Sequence, residues 1–317
     1  MRRTSAFLVA PALRGLAAFG GVAALALWAL GAEYALAQAA FVFTYAIAGL
    51  GVVLVVGQCG QVSLGQGALL ALGAYAETLL AVRGVPTLVS IPAAIALGAA
   101  GGWVASLPAR RLGGLYFAMS TLAFALIVEE VLVRWESLTH GAAGVAVPPL
   151  ALGAVAVDSA LAQAAVGVVA LALAGFACRR WVASRLGRAW RAVREDEIAA
   201  AASGIDVAVA KSRAFVLGGA LSGFAGALHA HWIGFVSPEQ FGLMLSFELL
   251  MLAFIGGARR LSGALWGALV VVALPQAISV ARDALPGDAG SASGVETLLF
   301  GAVIVAVILL RPQGLAR

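Results

Sequence analysis

Charged residues are scarce in this chain. Asp, Glu, Lys and Arg make up 11% of its 317 residues, while 62% of the residues are hydrophobic. An ordinary soluble domain carries about 25% charged residues, and the mean hydropathy of +1.02 shows the same imbalance. So few charges cannot solvate the surface of a water-soluble fold, whereas lipid can solvate the excess of apolar side chains. The composition therefore excludes an ordinary soluble protein and indicates a polytopic membrane protein.

Cysteine, histidine and lysine are also rare, and their positions argue against several kinds of site. Cys59 and Cys178 lie within or beside apolar segments without metal-ligand spacing, so neither a disulfide framework nor a zinc site is indicated. His229 and His231 are two residues apart and lie on different faces of a helix, which argues against a shared metal. The only lysine, Lys211, follows GIDVAVA and does not complete the GxxxxGK(S/T) loop that binds nucleotide phosphates.

Long apolar runs are what the chain does have. A helix needs about 20 mostly apolar residues to cross the hydrocarbon core. We therefore predict an all-α, polytopic bundle of about ten transmembrane helices, with a break in one of them near Gly57–Gly67. The predicted spans are Leu16–Leu30, Ala37–Val56, Ser63–Val82, Val89–Leu107, Leu115–Val133, Leu161–Cys178, Ala214–Gly234, Leu243–Gly256, Gly263–Val280 and Val295–Leu310.

The basic residues lie at the ends of these runs, which indicates an orientation rather than a nucleic-acid partner. With ten crossings and the N-terminus inside, only Arg83, Arg134 and Arg282 face outside, so 17 of the 20 basic residues face the cytoplasm. The positive-inside rule predicts this imbalance and rejects the opposite orientation. Both termini and the charged loop of about 179–213 are then predicted to be cytoplasmic.

The N-terminus has a second interpretation. MRR, an apolar stretch and ALAQ at Ala35–Gln38 resemble a cleavable signal peptide with a small-residue cleavage site. Removal of that segment would leave the later loops on the same sides of the membrane.

Polar residues inside the apolar runs are candidates for a translocation path. The glycine-rich stretch GQCGQVSLGQGALLALGAY begins at Gly57, and GLYFAMSTLAF begins at Gly114. Irregular backbone persists at membrane depth only where it is buried in protein or lines a wet cavity. The alternative is close helix packing, with the amides bonded between helices and the hydroxyls bonded to their own helix. The candidate path residues are Gln58, Gln61, Ser63, Gln66, Tyr116, Ser120 and Thr121; Glu77 and Glu248 are further intramembrane candidates.

The charged loop contains EDEIAAAASG, which predicts a short helix around Glu195–Ser203. Acidic residues favour a helix N-terminus, alanine favours the helix, and Gly204 suits its C-terminal cap. A helix lying on lipid is the alternative, but acidic residues disfavour contact with an anionic inner leaflet. The alanine face suits docking in a shallow groove of a partner.

The same segment resembles the coupling loop of ABC importer permeases, whose loose signature is Glu-Ala-Ala followed by glycine. More narrowly, GRAWRAVREDEIAAAASGI is similar to the matching segment of branched-chain amino acid permeases of the LivM type. Six further blocks carry the resemblance, from about Gly57 to Leu315: GQVSLGQGALLALGAY, GLYFAMSTLAF, WESLTHGAAGV, HWIGFVSPEQF, SFELLMLAFIGG and RPQGL.

This resemblance implies a single transmembrane permease domain over residues 1–317, in the bacterial inner membrane. It implies a second homologous permease, two ABC ATPase subunits and an external substrate-binding protein as partners besides the lipid bilayer. The chain itself is expected to be non-catalytic and to hold no cofactor, because the ATPase subunits would bind ATP and Mg²⁺. The residues implied to couple to the ATPase are Glu195, Asp196, Glu197, Ala200 and Gly204.

The sequence departs from the family pattern at three positions. Gly204 follows Glu197 by seven residues rather than six, Ala201 replaces a frequent second glutamate, and His140 stands where glycine is usual. The first two departures affect the docking contacts, and the third affects an external loop.

Two other classes of function compete with this interpretation. A stand-alone secondary transporter or channel would use Glu77 and Glu248 to carry ions or protons, but it leaves the acid–alanine helix unexplained. An intramembrane enzyme would need a nucleophile and base, a metal set or a carboxylate dyad, and the sequence offers none of these. The substrate itself stays open among branched-chain and other amino acids, amides and urea.

Overall fold

The computed structural model describes residues 32–283 except 111 and 153–154, and in addition residues 301–302, 305 and 314–315. The first predicted span, Leu16–Leu30, and nearly all of the last, Val295–Leu310, lie outside the described residues. The other eight predicted spans each fall on a helix, which confirms the helical bundle.

The helices are α1 Ala32–Val52, α2 Gln66–Val82, α3 Thr87–Ser106, α4 Gly114–Arg134, α5 Glu136–Thr139, α6 Ala160–Ala183, α7 Arg185–Glu195, α8 Glu197–Ala202, α9 Val207–Ile233, α10 Leu243–Gly256 and α11 Leu261–Asp283. A π-helix, Val53–Gln58, continues α1, and 3₁₀ turns occupy Leu107–Arg110, Gly141–Ala143 and Pro238–Phe241. Within the described part of the chain, six helical stretches are long and apolar enough to cross a membrane, while α2 and α11 are shorter apolar helices.

Helix α9 forms the centre of the bundle and packs on α1, α2 and α3. Glycines let the backbones touch: a Cβ on Gly219 would lie 2.3 Å from the Gly98 carbonyl oxygen of α3, and one on Gly73 of α2 would lie 2.2 Å from the Gly223 oxygen. Such small-residue contacts are the usual way for membrane helices to gain close van der Waals packing. The bundle therefore has a glycine-lined core around α9.

A short linker closes one end of the bundle. Residues 145–146 (β1) pair antiparallel with residues 235–236 (β4), which follow α9, and residues 151–152 (β2) pair with residues 155–156 (β3). These two-residue strands carry no sequence pattern that would have predicted them. Since α6 runs from this linker to α7, the linker and the α7–α8 pair lie at opposite ends of the bundle.

A buried polar network holds the linker to the helices. His231 Nδ1 lies 2.9 Å from the Pro148 carbonyl oxygen, and its Nε2 lies 3.0 Å from Glu77 Oε1. Ser90 donates a hydrogen bond to the same carboxylate oxygen at 2.6 Å. Glu77 is fully buried, and His231 joins its Oε1 to the linker, while its Oε2 has no hydrogen-bond partner among the described residues.

We predict that Gly219→Ala destabilises the protein by about 1–3 kcal/mol, because the added methyl overpacks a backbone contact. Gly175→Ala on α6 is the matched control, since a Cβ there meets nothing within 4 Å. The measurement is an SDS-induced unfolding titration of both variants in mixed micelles. Equal stability of the two variants would contradict the glycine-lined core.

Candidate functional site

Helix α8 confirms the predicted short helix, with bounds that differ from Glu195–Ser203 by one or two residues. Asp196 is its N-cap, and its carboxylate accepts hydrogen bonds from the amides of Ile198 and Ala199 at 2.8 and 2.9 Å. Gly204 follows the helix with a φ of +82°, a conformation that favours glycine. Glu195 ends the preceding helix α7 rather than starting α8.

The outer face of α8 is apolar and small. Ile198 is 83% exposed, and Ala199, Ala201 and Ala202 are exposed beside it, whereas Ala200 is buried against the bundle. This surface is a shallow alanine patch with one large anchor. Sequence reasoning missed Ile198, although a single large apolar residue in a run of alanines was a signal that could have found it.

Glu197 points back into the protein. Its carboxylate lies 2.8 Å from Lys211 Nζ near the start of α9 and accepts a hydrogen bond from Gln61 Nε2 at 3.1 Å. Lys211 is 1% exposed, and a buried ammonium needs such a counter-charge. Beside this pair, burial raises the pKa of the Cys59 thiol to about 12. We call Glu197, Lys211 and Gln61 the carboxylate junction, because it joins α8, α9 and the segment after the π-helix.

A second link joins α7 to the π-helix. Arg194 Nη1 donates a 2.6 Å hydrogen bond to the Gly57 carbonyl oxygen, one of the last carbonyls of the π-helix, which have no partner further along the helix. The neighbouring Gln58 donates to the Arg259 carbonyl oxygen at 3.0 Å, which ties the π-helix to the turn between α10 and α11. π-helical turns are rare and often mark functional positions in helices.

Helix α7 itself is fixed to the base of α9. Trp190 is fully buried, and its indole nitrogen donates a 2.9 Å hydrogen bond to the Ala210 carbonyl oxygen. Arg185 and Arg188 of α7 stay exposed, whereas Arg191 and Arg194 are half-buried. The α7–α8 pair is therefore packed against the bundle and is not a loose loop.

The non-helical residues 59–65 run from the carboxylate junction to the middle of the bundle. Gln66, the first residue of α2, accepts a 3.0 Å hydrogen bond from Ser222, which lies 11 residues beyond Lys211, or about 16 Å along α9. Backbone amides of this segment donate hydrogen bonds to side chains. Leu64 N donates to Thr121 Oγ1, and Gly65 N donates to Ser63 Oγ.

Two short helices start near this depth. Gly67 N, in the first turn of α2, donates a 3.0 Å hydrogen bond to Ser246 Oγ in the first turn of α10. The Gln66 amide nitrogen is buried and has no hydrogen-bond partner among the described residues. Interrupted helices of this kind often frame substrate sites in transporters.

The structure brings together some of the predicted path residues and separates others. Gln61, Ser63, Gln66 and Thr121 lie along the 59–65 segment and are buried, as is Gln58 at its start. Tyr116, at the first turn of α4, is 73% exposed, and Ser120 donates to the Phe117 carbonyl oxygen of its own helix. The amides of Gln58, Gln61 and Gln66 bond to other segments, as the packing hypothesis expects. Their part in a translocation path stays a prediction.

Comparison with known proteins places these features in one family. The family model described as "Branched-chain amino acid transport system / permease component" matches residues 34–310. The permease protein LivM of Escherichia coli is 32% identical, over 86% of this chain and 67% of LivM. LivH of Salmonella typhimurium is 28% identical and BraD of Pseudomonas aeruginosa 26%, each over 86% of this chain and 91% of the relative; all three are named high-affinity branched-chain amino acid transport system permease proteins. No solved structure matches the chain.

The two halves of the ion pair are expected to respond unequally to mutation. Glu197→Ala strands a buried ammonium and should cost about 3 kcal/mol of unfolding free energy. Lys211→Met should cost less than about 1 kcal/mol, because the Glu197 side chain is 42% exposed and can be hydrated. SDS-induced unfolding measures both, and hydrogen exchange of the α8 amides reports the local loosening. A larger loss in Lys211→Met would show that the pair is misassigned.

Proposed function

Because the chain belongs to the family of permease components of branched-chain amino acid transport systems, we propose that it is the membrane subunit of an ABC importer. In this role it forms part of the translocation path for branched-chain amino acids and couples that path to separate ATPase subunits. The single observation that carries the proposal is the carboxylate junction, which connects an exposed docking helix directly to the irregular segment inside the bundle.

Helix α8 has the features of a docking element. Ile198 projects from a flat alanine surface, and large apolar side chains that enter a partner's pocket supply most of the binding energy of an interface. The helix is capped at Asp196 and tied to α9 through Glu197, so a partner would meet a rigid surface. We assign the recognition of the ATPase to Ile198 and the surrounding alanines, and the transmission of its movement to Glu197.

The route of transmission follows from the contacts. A displacement of α8 pulls on Gln61 and Lys211, and a displacement of α7 pulls on the Gly57 carbonyl through Arg194. Both pulls act on residues 57–61, which overlap the start of the 59–65 segment that leads to α2. We propose that the candidate path residues lie along this segment because its backbone can rearrange without unwinding a full helix.

The remaining partners follow from the same proposal. An ABC importer of this kind would pair the chain with a second homologous permease, two ATPase subunits and an external binding protein. The 145–157 linker, at the end opposite α8, is the face that we assign to the binding protein. In this arrangement the two termini lie in the cytoplasm, and ATP and Mg²⁺ are bound by the ATPase subunits.

Truncation of Ile198 should weaken the attachment of the ATPase by about tenfold or more, as for an interface anchor. The measurement is copurification of ATP-hydrolysing protein with Ile198→Ala, together with ATP-driven leucine uptake in proteoliposomes. Val209→Ala is the matched control, because Val209 is a partly exposed aliphatic residue at the same end of the bundle. Wild-type copurification and uptake by Ile198→Ala would remove the coupling role of α8.

Cysteine labelling tests the path. In a Cys59→Ser background, Ser63→Cys should resist small polar thiol reagents in the resting state, because Ser63 is 1% exposed, and should react when the ATPase is trapped with nucleotide. Val62→Cys is the neighbouring control and should label in the resting state, since Val62 is 42% exposed. If Ser63→Cys stays unreactive in every state while Val62→Cys labels, the segment is a packing element and the path lies elsewhere.

A further inference from the structure

A cavity of about 720 Å³ lies between α1, α9, α10 and α11. It is far from α8, since His229 on its wall is 18 residues beyond Lys211, or about 27 Å along α9. Its volume falls within the range of about 300–1,000 Å³ that is typical of small-molecule sites. The polar residues on its wall are Gln38, Tyr45, His229, Gln240 and Glu248.

Two of these polar groups lack partners. Glu248 is half-buried in a strongly apolar helix, and among the described residues its carboxylate makes no hydrogen bond or ion pair. His229 is 6% exposed, and its Nδ1 is buried without a hydrogen-bond partner in the described part of the chain. Unpaired polar groups at membrane depth are costly, so their presence on one cavity wall indicates a ligand that satisfies them.

The contrast with the other intramembrane carboxylate is informative. Glu77 is fully buried but receives hydrogen bonds from Ser90 and pairs with His231. Its Oε1 is thus held by two protein partners, as structural groups usually are, although its Oε2 has none among the described residues. Glu248 has no such set of protein partners, which distinguishes a ligand-facing carboxylate from a structural one.

The remaining walls restrict the chemistry of the ligand. Aromatic rings surround His229, with Phe41 and Tyr45 each 5.9 Å from it between ring centroids. Val271, Val272 and Pro275 add an aliphatic surface. A ligand that fits has a cationic group for Glu248, acceptor atoms for the Gln38 and Gln240 amides, and an apolar side chain of moderate size.

We propose that this cavity binds an aliphatic α-amino acid, with the substrate ammonium at Glu248 and its side chain against Val271 and Pro275. The proposal rests on the proposed function and adds a binding site within this subunit to it. Glu248 lies two residues after Ser246, whose hydroxyl holds the first turn of α2. The cavity and the first turn of α2 therefore contact opposite faces of α10.

Carbodiimide labelling tests the site directly, because carbodiimides react with carboxyl groups in apolar surroundings. The assembled transporter, in proteoliposomes, is treated with dicyclohexylcarbodiimide with and without millimolar L-leucine, and the modified residues are located by peptide mass spectrometry. Leucine should reduce the labelled fraction of Glu248 severalfold. The 2-hydroxy acid with the same side chain, which lacks the ammonium group, should leave it unchanged. Glu129, partly buried in the apolar helix α4 and not on the cavity wall, is the control carboxylate and should label equally in all samples.

A second measurement separates this proposal from the general function. Glu248→Gln should lower the rate of leucine uptake at least tenfold while the ATPase subunits still copurify. Equal labelling of Glu248 with and without leucine in a transporter that takes up leucine would overturn the cavity assignment alone. Absence of leucine uptake by the wild-type complex, with uptake of another solute, would instead overturn the proposed substrate.

Discussion

The buried ammonium of Lys211 sets the geometry of the α7–α8 end of this protein. A charged group that is 1% exposed at the base of the central helix needs a carboxylate within contact distance. Glu197 supplies it at 2.8 Å and thereby fixes α8 against α9. The same carboxylate accepts the Gln61 amide, so the position of the docking helix and the position of the irregular segment are set by one group.

The elements that meet at the carboxylate junction are held in the bundle with different firmness. Glycine contacts hold α9 against α1, α2 and α3, which gives the junction a rigid reference. The 59–65 segment, by contrast, is held by single hydrogen bonds to side chains such as Thr121 and Ser63. Force applied at α8 therefore meets a stiff helix on one side and a pliable segment on the other. In the proposed function, this difference in stiffness is what would let a small movement of a docked ATPase subunit alter the interior.

The sequence predicted the helices well because lipid imposes a length and a composition on every crossing segment. It also predicted α8, whose acidic start, alanine run and terminal glycine each have a local physical cause. The strands of the linker could not be predicted, since two-residue pairings depend on which loops meet in space. The family could also be predicted, because several short sequence blocks occur along the chain in the order that is usual for the family.

The sequence did not predict the directions in which the side chains point. Glu197 was grouped with the docking residues, yet its carboxylate faces Lys211 and Gln61, and Ile198 takes the exposed position. The helical period predicts which residues of α8 share a face. Which face points into the protein depends on the buried Lys211, and the sequence does not show that burial. The grouping of Glu248 with His229 around one cavity likewise depends on the packing of four helices that are distant in sequence.

The most direct test of the account is ATP-driven uptake by a charge-swapped transporter. Glu197→Lys and Lys211→Glu should each abolish uptake alone, because each places two like charges at the junction. The double variant should recover a substantial part of it, since the ion pair is restored in reverse and the Gln61 amide can donate or accept. Uptake at the wild-type rate in either single variant would contradict the claim that this junction connects the docking helix to the path.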